Sequence, residues 1–283
     1  LNLFQGFTNI SLENQLIYSS FFILLLGIPH GAIDHVLFFK KREMSQLKFY
    51  TIYLGLSLLF VALWHVWPIT SLILFLLISA FHFGESQFAD ISFKNIFRYL
   101  FYFFWGLCLL STLMFYNVSE LFEITSYFDD TIVLDKIYNK GKIGIFFYVT
   151  NIVTILSICA LVFYDKINKD RLFSELFLLF LIHVTFYLFP FIIGFTLYFV
   201  ALHSLKVMND EFKFLKSEEE NFSIFKFLKL LAPYSMLSIF GTALLLALSY
   251  YSYISYSIPF LAIIIISVIT LPHAIVMNIF YNE

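Results

Sequence analysis

Apolar residues follow one another in long, nearly unbroken stretches along this chain, and short polar segments separate them. Each stretch has about 20 residues, the length that an α-helix needs to cross the hydrocarbon core of a bilayer. Two of the separations are single prolines, Pro68 and Pro190, where a helix is disfavoured. The pattern predicts nine spans, at residues 15–38, 49–67, 69–88, 98–116, 143–163, 172–189, 191–208, 229–250 and 257–280.

The composition supports the same fold class. Of the 283 residues, 61% are hydrophobic and only 13% are charged, whereas a soluble domain carries about 25% charged residues. So few charges cannot cover a water-facing surface, which excludes a soluble globular protein. We therefore expect an all-α, polytopic bundle of about nine transmembrane helices, with residues 1–283 forming a single membrane-embedded domain.

The basic residues are divided unevenly between the two sets of loops that nine spans create. The loops after spans one, three, five and seven, with their flanking helix ends, hold 14 of the 17 lysines and arginines, and the other side holds only Lys136, Lys140 and Lys142. Lys and Arg collect in cytoplasmic loops. The count therefore predicts a protein of the cell membrane with its N-terminus outside and its C-terminus inside. We expect no nucleic acid among its partners.

Five of the seven histidines lie in short polar interruptions of the apolar stretches. The interruptions are Pro29-His30-Gly31-Ala32-Ile33-Asp34-His35, His82-Phe83-Gly84-Glu85, His203-Ser204 and Leu271-Pro272-His273. They fall on spans one, three, seven and nine, which cross in the same direction, so each histidine lies within about 15 Å of the cytoplasmic end of its span. His65 and His183 fall toward the outer half, where we expect ordinary interhelical hydrogen bonds.

Five imidazoles at one depth predict a shared metal or proton site, because ionisable side chains inside a membrane are expensive and usually functional. A set of nitrogen ligands suits Zn, Cu, Fe or Ni, and ligands from separate helices can leave positions open for a substrate or O₂. A metal-bound histidine usually needs an acceptor for its other ring nitrogen. The local candidates for that role are Asp34, Glu85, Ser204 and Asn278.

The prolines and glycines beside these histidines predict local backbone features. We expect broken helices next to His30, His82 and His273, since irregular backbone at membrane depth is tolerated where it lines a cavity. The small residues Gly31 and Gly84 are expected to let neighbouring helices approach closely.

Taken together and in this order, the four histidine motifs resemble the Brp/Blh family of bacterial and archaeal membrane β-carotene 15,15'-dioxygenases. The resemblance covers nearly the whole chain. It implies oxidative cleavage of the central double bond of β-carotene to two all-trans retinal, with O₂ as co-substrate and an Fe(2+) held by histidines. It implies that His30, His82 and His203 are iron ligands. No cofactor beyond the metal is expected.

The ligand set departs from the family pattern at one position. Many members carry a second histidine four residues after the one that matches His203, and here that position is Val207. The fourth ligand must then come from elsewhere, and the choice is open between His273 and His35.

An apolar polyene substrate also calls for lateral access from the lipid bilayer and an apolar tunnel past the metal. Among the 39 phenylalanines we single out Phe81 and Phe83, which flank His82, and Phe199, one turn before His203. The resemblance further implies a functional link to a retinal-binding rhodopsin. The alternative function is a transporter or channel that uses the histidine cluster for protons or a divalent metal. A continuous transport path would need polar residues across the full depth, and the outer half holds little beyond His65 and His183.

Overall fold

The computed structural model of the chain describes residues 10–91, 96–127, 130, 132 and 140–282. Within these ranges, nine helices are long and apolar enough to cross a membrane. This confirms the predicted all-α polytopic bundle and the number of its spans. By their length and composition, the nine helices indicate a multi-pass membrane protein. The orientation of the termini stays a prediction, and Lys94 and Lys136, which entered the charge count, lie outside the described residues.

We number the helices in chain order. They are α1 (Leu12–Lys41), α2 (Gln46–Val66), α3 (Pro68–Phe88), α4 (Ile96–Tyr116), the short α5 (Val118–Tyr127), α6 (Lys140–Phe163), α7 (Lys169–Leu188), α8 (Phe191–Glu218), α9 (Ile224–Tyr250) and α10 (Ile258–Asn282). Pro68 and Pro190 separate helices as predicted.

Several of the described spans begin with a polar cap. The side chains of Ser45, Asn168 and Ser223 accept hydrogen bonds from backbone N–H groups at the starts of α2, α7 and α9. Such caps satisfy donors that the first turn of a helix leaves open. Each of these polar residues follows directly on a loop, so each marks the point where an apolar span starts.

Two of the long helices change their winding near predicted site residues. In α1, a π-helical stretch at Ile23–Gly27 leads into a 3₁₀ turn at Ile28–Gly31, and regular α-helix resumes at Asp34–Lys41. In α8, Tyr198–Ser204 is π-helical. Segments of this kind inside longer helices are frequent at functional sites. The break expected beside His30 is therefore confirmed, and the one in α8 was not predicted.

The breaks expected beside His82 and His273 were wrong. Helix α3 continues through His82, and α10 continues through Pro272. Proline has no N–H for the carbonyl four residues earlier, which here is Val268. The hydroxyl of Ser57 on α2 donates to that carbonyl at 3.4 Å. A neighbouring helix thus supplies a hydrogen bond where the proline removes one, and α10 needs no break.

The chain divides into two compact units. Unit 1 comprises Leu1–Ile17 and Ile73–Tyr198, and unit 2 comprises Tyr18–Leu72 and Phe199–Glu283. The single membrane-embedded domain stays a prediction. Both units are built from segments that are distant in the sequence.

In unit 1, the backbones of α3 and α4 approach each other closely. A Cβ added at Gly84 would clash with the carbonyl oxygen of Tyr102, and one at Gly106 would clash with that of Ala80. This confirms the close approach predicted for Gly84. Inside a membrane, such packing replaces the hydrophobic effect as the force that joins helices.

Unit 2 is organised around α10, which packs along α2 and along the inner part of α1. Its buried apolar cluster draws on α1, α2, α8, α9 and α10 and includes Leu37, Phe49, Val207, Leu231 and Met277. The 3₁₀ turn of α1 packs against α8 and α9. The segments that carry His30, His203 and His273 therefore belong to one packed body.

Candidate metal centre

Three of the predicted histidines gather inside unit 2. The ring of His30 lies 5.2 Å from that of His203 and 4.7 Å from that of His273, measured between centroids. All three side chains are buried. A ring nitrogen of His30 and one of His203 lie within 4.8 Å of each other. Imidazoles from α1, α8 and α10 thus meet at one place, as their predicted common depth requires.

His30 is oriented by the backbone of its own turn. Its Nδ1 makes a hydrogen bond with the carbonyl oxygen of Gly27, and the hydroxyl of Ser204 lies 3.3 Å from the same nitrogen. A carbonyl oxygen can only accept, so Nδ1 carries the hydrogen and Nε2 carries the lone pair. The unusual winding of α1 therefore presents His30 Nε2 as a ligand atom.

His203 lies in the π-helical segment of α8, where its ring stacks on Phe199 at 5.6 Å between centroids. Phe199 also meets the ring of His30 edge-on at 5.5 Å. The backbone at Gly27 leaves room for this phenylalanine, because a Cβ there would lie 2.8 Å from the Phe199 ring. One aromatic side chain thus borders two of the clustered histidines.

His273 is oriented by a carboxylate. Its Nδ1 lies 2.8 Å from Oδ1 of Asp34, a buried residue, and the hydroxyl of Tyr53 donates to Asp34 Oδ2 at 2.8 Å. The ring packs on the backbone at Gly31, where a Cβ would lie 3.2 Å from His273 Nδ1. As in His30, the partner of Nδ1 is an oxygen acceptor. Nδ1 therefore carries the hydrogen, and Nε2 carries the lone pair on the side of the ring that faces away from that acceptor.

These donors fit a transition metal. His30 and His273 both use Nδ1 for a carbonyl or carboxylate oxygen, which is the usual outer partner of a metal-bound histidine. The clustered side-chain donors are imidazoles, a set that suits Zn, Cu, Fe or Ni. Buried histidines with this arrangement of donors could bind a metal ion.

His35 has other surroundings. Its ring packs against Tyr234 at 4.4 Å and Tyr50 at 6.3 Å between centroids, and the side chain is half-buried. The 3₁₀ turn ends before Asp34, so His30 and His35 leave α1 in different local geometry. Of the two histidines left open as a fourth ligand, His273 is the one in ring contact with His30.

Unit 1 contains the second motif. His82 is buried on α3, next to Gly84, whose backbone packs on Tyr102, and Glu85 one turn on is fully buried. Phe83 meets Tyr198 edge-on at 5.5 Å. Phe81 stacks on Tyr99 of α4 at 6.2 Å. The motif is therefore part of the α3–α4 packing described above.

The two histidines set aside from the cluster make side-chain hydrogen bonds, as expected. His183 Nε2 lies 2.9 Å from Asn151 Oδ1, and its Nδ1 lies 3.3 Å from the Tyr116 hydroxyl. His65 Nδ1 lies 2.9 Å from the hydroxyl of Tyr256.

The expected acceptors differ in what they contact. Asp34 and Ser204 each meet a clustered histidine. Glu85 belongs to unit 1, and Asn278 is a half-buried residue of α10 whose carbonyl accepts a hydrogen bond from the Asn282 side chain.

Tyr53 was missed by the sequence reasoning. One signal was available, because Tyr53 and Asp34 each lie seven residues from the inner ends of α2 and α1. At 1.5 Å per residue this places both about 10 Å from the same side. Depth, which grouped the histidines, would also have paired these two residues.

Comparison with known proteins points to one family. A profile described as beta-carotene 15,15'-dioxygenase matches residues 21–281. The beta-carotene 15,15'-dioxygenase of uncultured marine bacterium 66A03 is 38% identical over 71 residues, which cover 23% of this chain and 26% of that relative. The chain thus matches about a quarter of the length of this curated relative. No solved structure matches it. Because the family profile spans nearly all of the sequence, the chain belongs to the beta-carotene 15,15'-dioxygenase family.

Proposed function

We propose that this protein cleaves the central 15,15' double bond of β-carotene with O₂ and releases two all-trans retinal. The proposal rests on the family profile over residues 21–281 and on the name of the 66A03 relative. The observation that carries it is the group of buried histidines His30, His203 and His273, in which the Nδ1 atoms of His30 and His273 are held by oxygen acceptors. The reaction adds one oxygen atom to each carbon of the broken bond, so one O₂ balances it without another reductant.

The proposed cofactor is non-haem Fe(2+), held by His30, His82, His203 and His273. His30, His203 and His273 share one cluster in unit 2. His82 is included on its family motif, its burial and its predicted depth. His273 is preferred to His35 because of its ring contact with His30 and its carboxylate partner. When bound, iron would supply the redox chemistry with O₂, and Asp34 and Ser204 would orient its ligands.

The aromatic residues have a separate role in the proposal. Phe199 borders His30 and His203, so it presents an apolar surface to a polyene and keeps water away from the ligand atoms. Phe81 and Phe83, which flank His82, are the other aromatic residues that we propose for the substrate tunnel. A substrate confined to the lipid bilayer can reach such a surface from the membrane without crossing water.

The cellular setting follows from the charge count. We propose that the protein lies in the cell membrane with its N-terminus outside, which places the histidine layer toward the cytoplasm. Retinal released there would be available to a retinal-binding rhodopsin.

The test is expression of the full chain in a bacterium that makes β-carotene, followed by extraction of the pigments. We expect loss of the orange colour and appearance of retinal in the wild type, and no retinal from His30→Ala, His82→Ala or His203→Ala. His65→Ala, whose partner is Tyr256, is the matched control and should cleave normally. Unchanged carotene with a folded, iron-loaded wild-type protein would contradict the proposal.

A further inference from the structure

Tyr53 stands outside every motif that the sequence singled out, yet it contacts the candidate metal centre through one residue. This half-buried tyrosine lies on α2, and its hydroxyl donates to Oδ2 of Asp34 at 2.8 Å. The other oxygen of the same carboxylate lies 2.8 Å from His273 Nδ1. Asp34 is therefore held at both oxygens, by Tyr53 on one side and by His273 on the other.

The order of donors and acceptors in this chain is set by chemistry. The phenol donates to the carboxylate, and Asp34 Oδ1 then accepts from His273 Nδ1. Hydrogen bonds to an ionised group are short and strong, and a bidentate arrangement fixes the plane of the carboxylate. A fixed carboxylate plane in turn fixes the tautomer and the rotation of the His273 ring, which decides where Nε2 lies.

The position of His273 is otherwise loosely defined by its own helix. Helix α10 is continuous around Pro272, so no special backbone geometry aims the ring, in contrast to the 3₁₀ turn that holds His30. Gly31 supplies a flat surface against which the ring packs. The Tyr53–Asp34 pair orients this histidine through its Nδ1.

We propose that Tyr53 is a positioning residue, which through Asp34 aims His273 at the metal and so compensates for the histidine that Val207 replaces. The inference rests on the proposed metal site and adds the residue that makes its fourth ligand usable. Val207 belongs to the apolar cluster of unit 2 and is fully buried, so α8 offers no imidazole at the position four residues after His203.

If Tyr53 only held helices together, removal of another hydrogen bond between these helices should affect metal binding as much as Tyr53→Phe does. The same helix pair, α2 and α10, is also joined by the hydrogen bond from Ser57 to the Val268 carbonyl. Ser57→Ala removes that link, together with the hydrogen bond from Ser57 to the Tyr53 carbonyl, without touching Asp34 or the Tyr53 hydroxyl. Tyr50→Phe removes a hydroxyl from a tyrosine one turn earlier, beside His35. Both variants are matched controls for Tyr53→Phe.

The experiment titrates the purified full-length protein with Co(II) alone and records its visible ligand-field bands and its affinity. We expect Tyr53→Phe to bind Co(II) about 10-fold more weakly with shifted bands, while Ser57→Ala and Tyr50→Phe stay within twofold of the wild type. In a His273→Ala background, Tyr53→Phe should have no further effect, because the residue through which it acts is gone.

The outcomes separate this inference from the proposed reaction. Tyr53→Phe with wild-type affinity and bands overturns the inference, as does a wild type that binds no Co(II). If the pattern of Co(II) binding holds but the iron-loaded wild type does not cleave β-carotene, the positioning role stands and the proposed reaction fails. If cleavage is normal and Tyr53→Phe matches Ser57→Ala in every measurement, only the positioning role fails.

Discussion

His183 in unit 1 and His273 in unit 2 are both intramembrane imidazoles, but their ring nitrogens have different partners. His183 Nε2 faces the amide of Asn151 and its Nδ1 faces the hydroxyl of Tyr116. His273 Nδ1 faces the carboxylate of Asp34. Because both ring nitrogens of His183 bind neutral groups, this histidine links α7 to α4 and α6. An ionised acceptor at Nδ1 prepares the ring to bind a metal through Nε2.

The residues around His183 and His273 differ in the same way. Around His183, Asn151 also accepts from Cys108 and donates to Thr112, so the polar groups satisfy one another within unit 1. Around His273, the contacts lead to a second histidine, His30, which is likewise held at Nδ1. Burial of a histidine in a membrane is therefore not enough to assign function, and the identity of its hydrogen-bond partners is the better guide.

The largest difference in iron affinity is expected between His273→Ala and His35→Ala. Loss of a ligand should weaken iron binding by more than about 100-fold, since even loss of an outer partner costs 10- to 100-fold. His35 packs on Tyr234, so its removal should leave iron binding within about twofold. Iron titration of both purified variants checks this. The reverse order of effects would make His35 the fourth ligand.

A smaller effect is expected from Gly31→Ala, which tests the packing of the His273 ring. The new Cβ would lie 3.2 Å from His273 Nδ1, so the ring must move by a few tenths of an ångström. Iron affinity should fall about three- to tenfold, because ligand geometry tolerates little displacement. Gly55→Ala on α2 is the control, since nothing lies within 4 Å of its added Cβ. Equal affinities of the two variants would show that the ring has space to adjust.

The smallest effect on metal binding is expected from His183→Ala. Its hydrogen bonds to Asn151 and Tyr116 should be worth about 1–2 kcal/mol of stability, as for other polar contacts within membranes. Iron content and retinal formation should stay within twofold of the wild type. Thermal unfolding in detergent and an iron assay measure the two quantities separately. A loss of iron in this variant would erase the distinction between the two histidines.

Apolar length and the positions of prolines were enough to predict the number of spans, because a bilayer sets the length of every helix. Depth along each span was enough to predict that His30, His203 and His273 share a level. The winding of α8 at Tyr198–Ser204 could not be predicted, since the segment contains neither proline nor glycine. At Pro272 a break was predicted, but the helix is continuous, because Ser57 on another helix supplies a hydrogen bond.

The choice between His273 and His35 also lay beyond the sequence. Both histidines lie in polar motifs at a similar predicted depth, and only their side-chain contacts distinguish the two. Asp34 precedes His35 directly in the chain, yet its carboxylate pairs with His273, 239 positions away. Tyr53 escaped notice for a related reason, because tyrosines are common in this chain and only its contact with Asp34 distinguishes it.

The iron content of the purified chain after anaerobic loading with Fe(2+) decides whether His30 and His203 hold the metal. The wild type is compared with His30→Ala, His203→Ala and His183→Ala. We expect about one iron per chain in the wild type and in His183→Ala, and almost none in the other two. Retained iron in His30→Ala and His203→Ala, with the variants folded, would contradict this assignment.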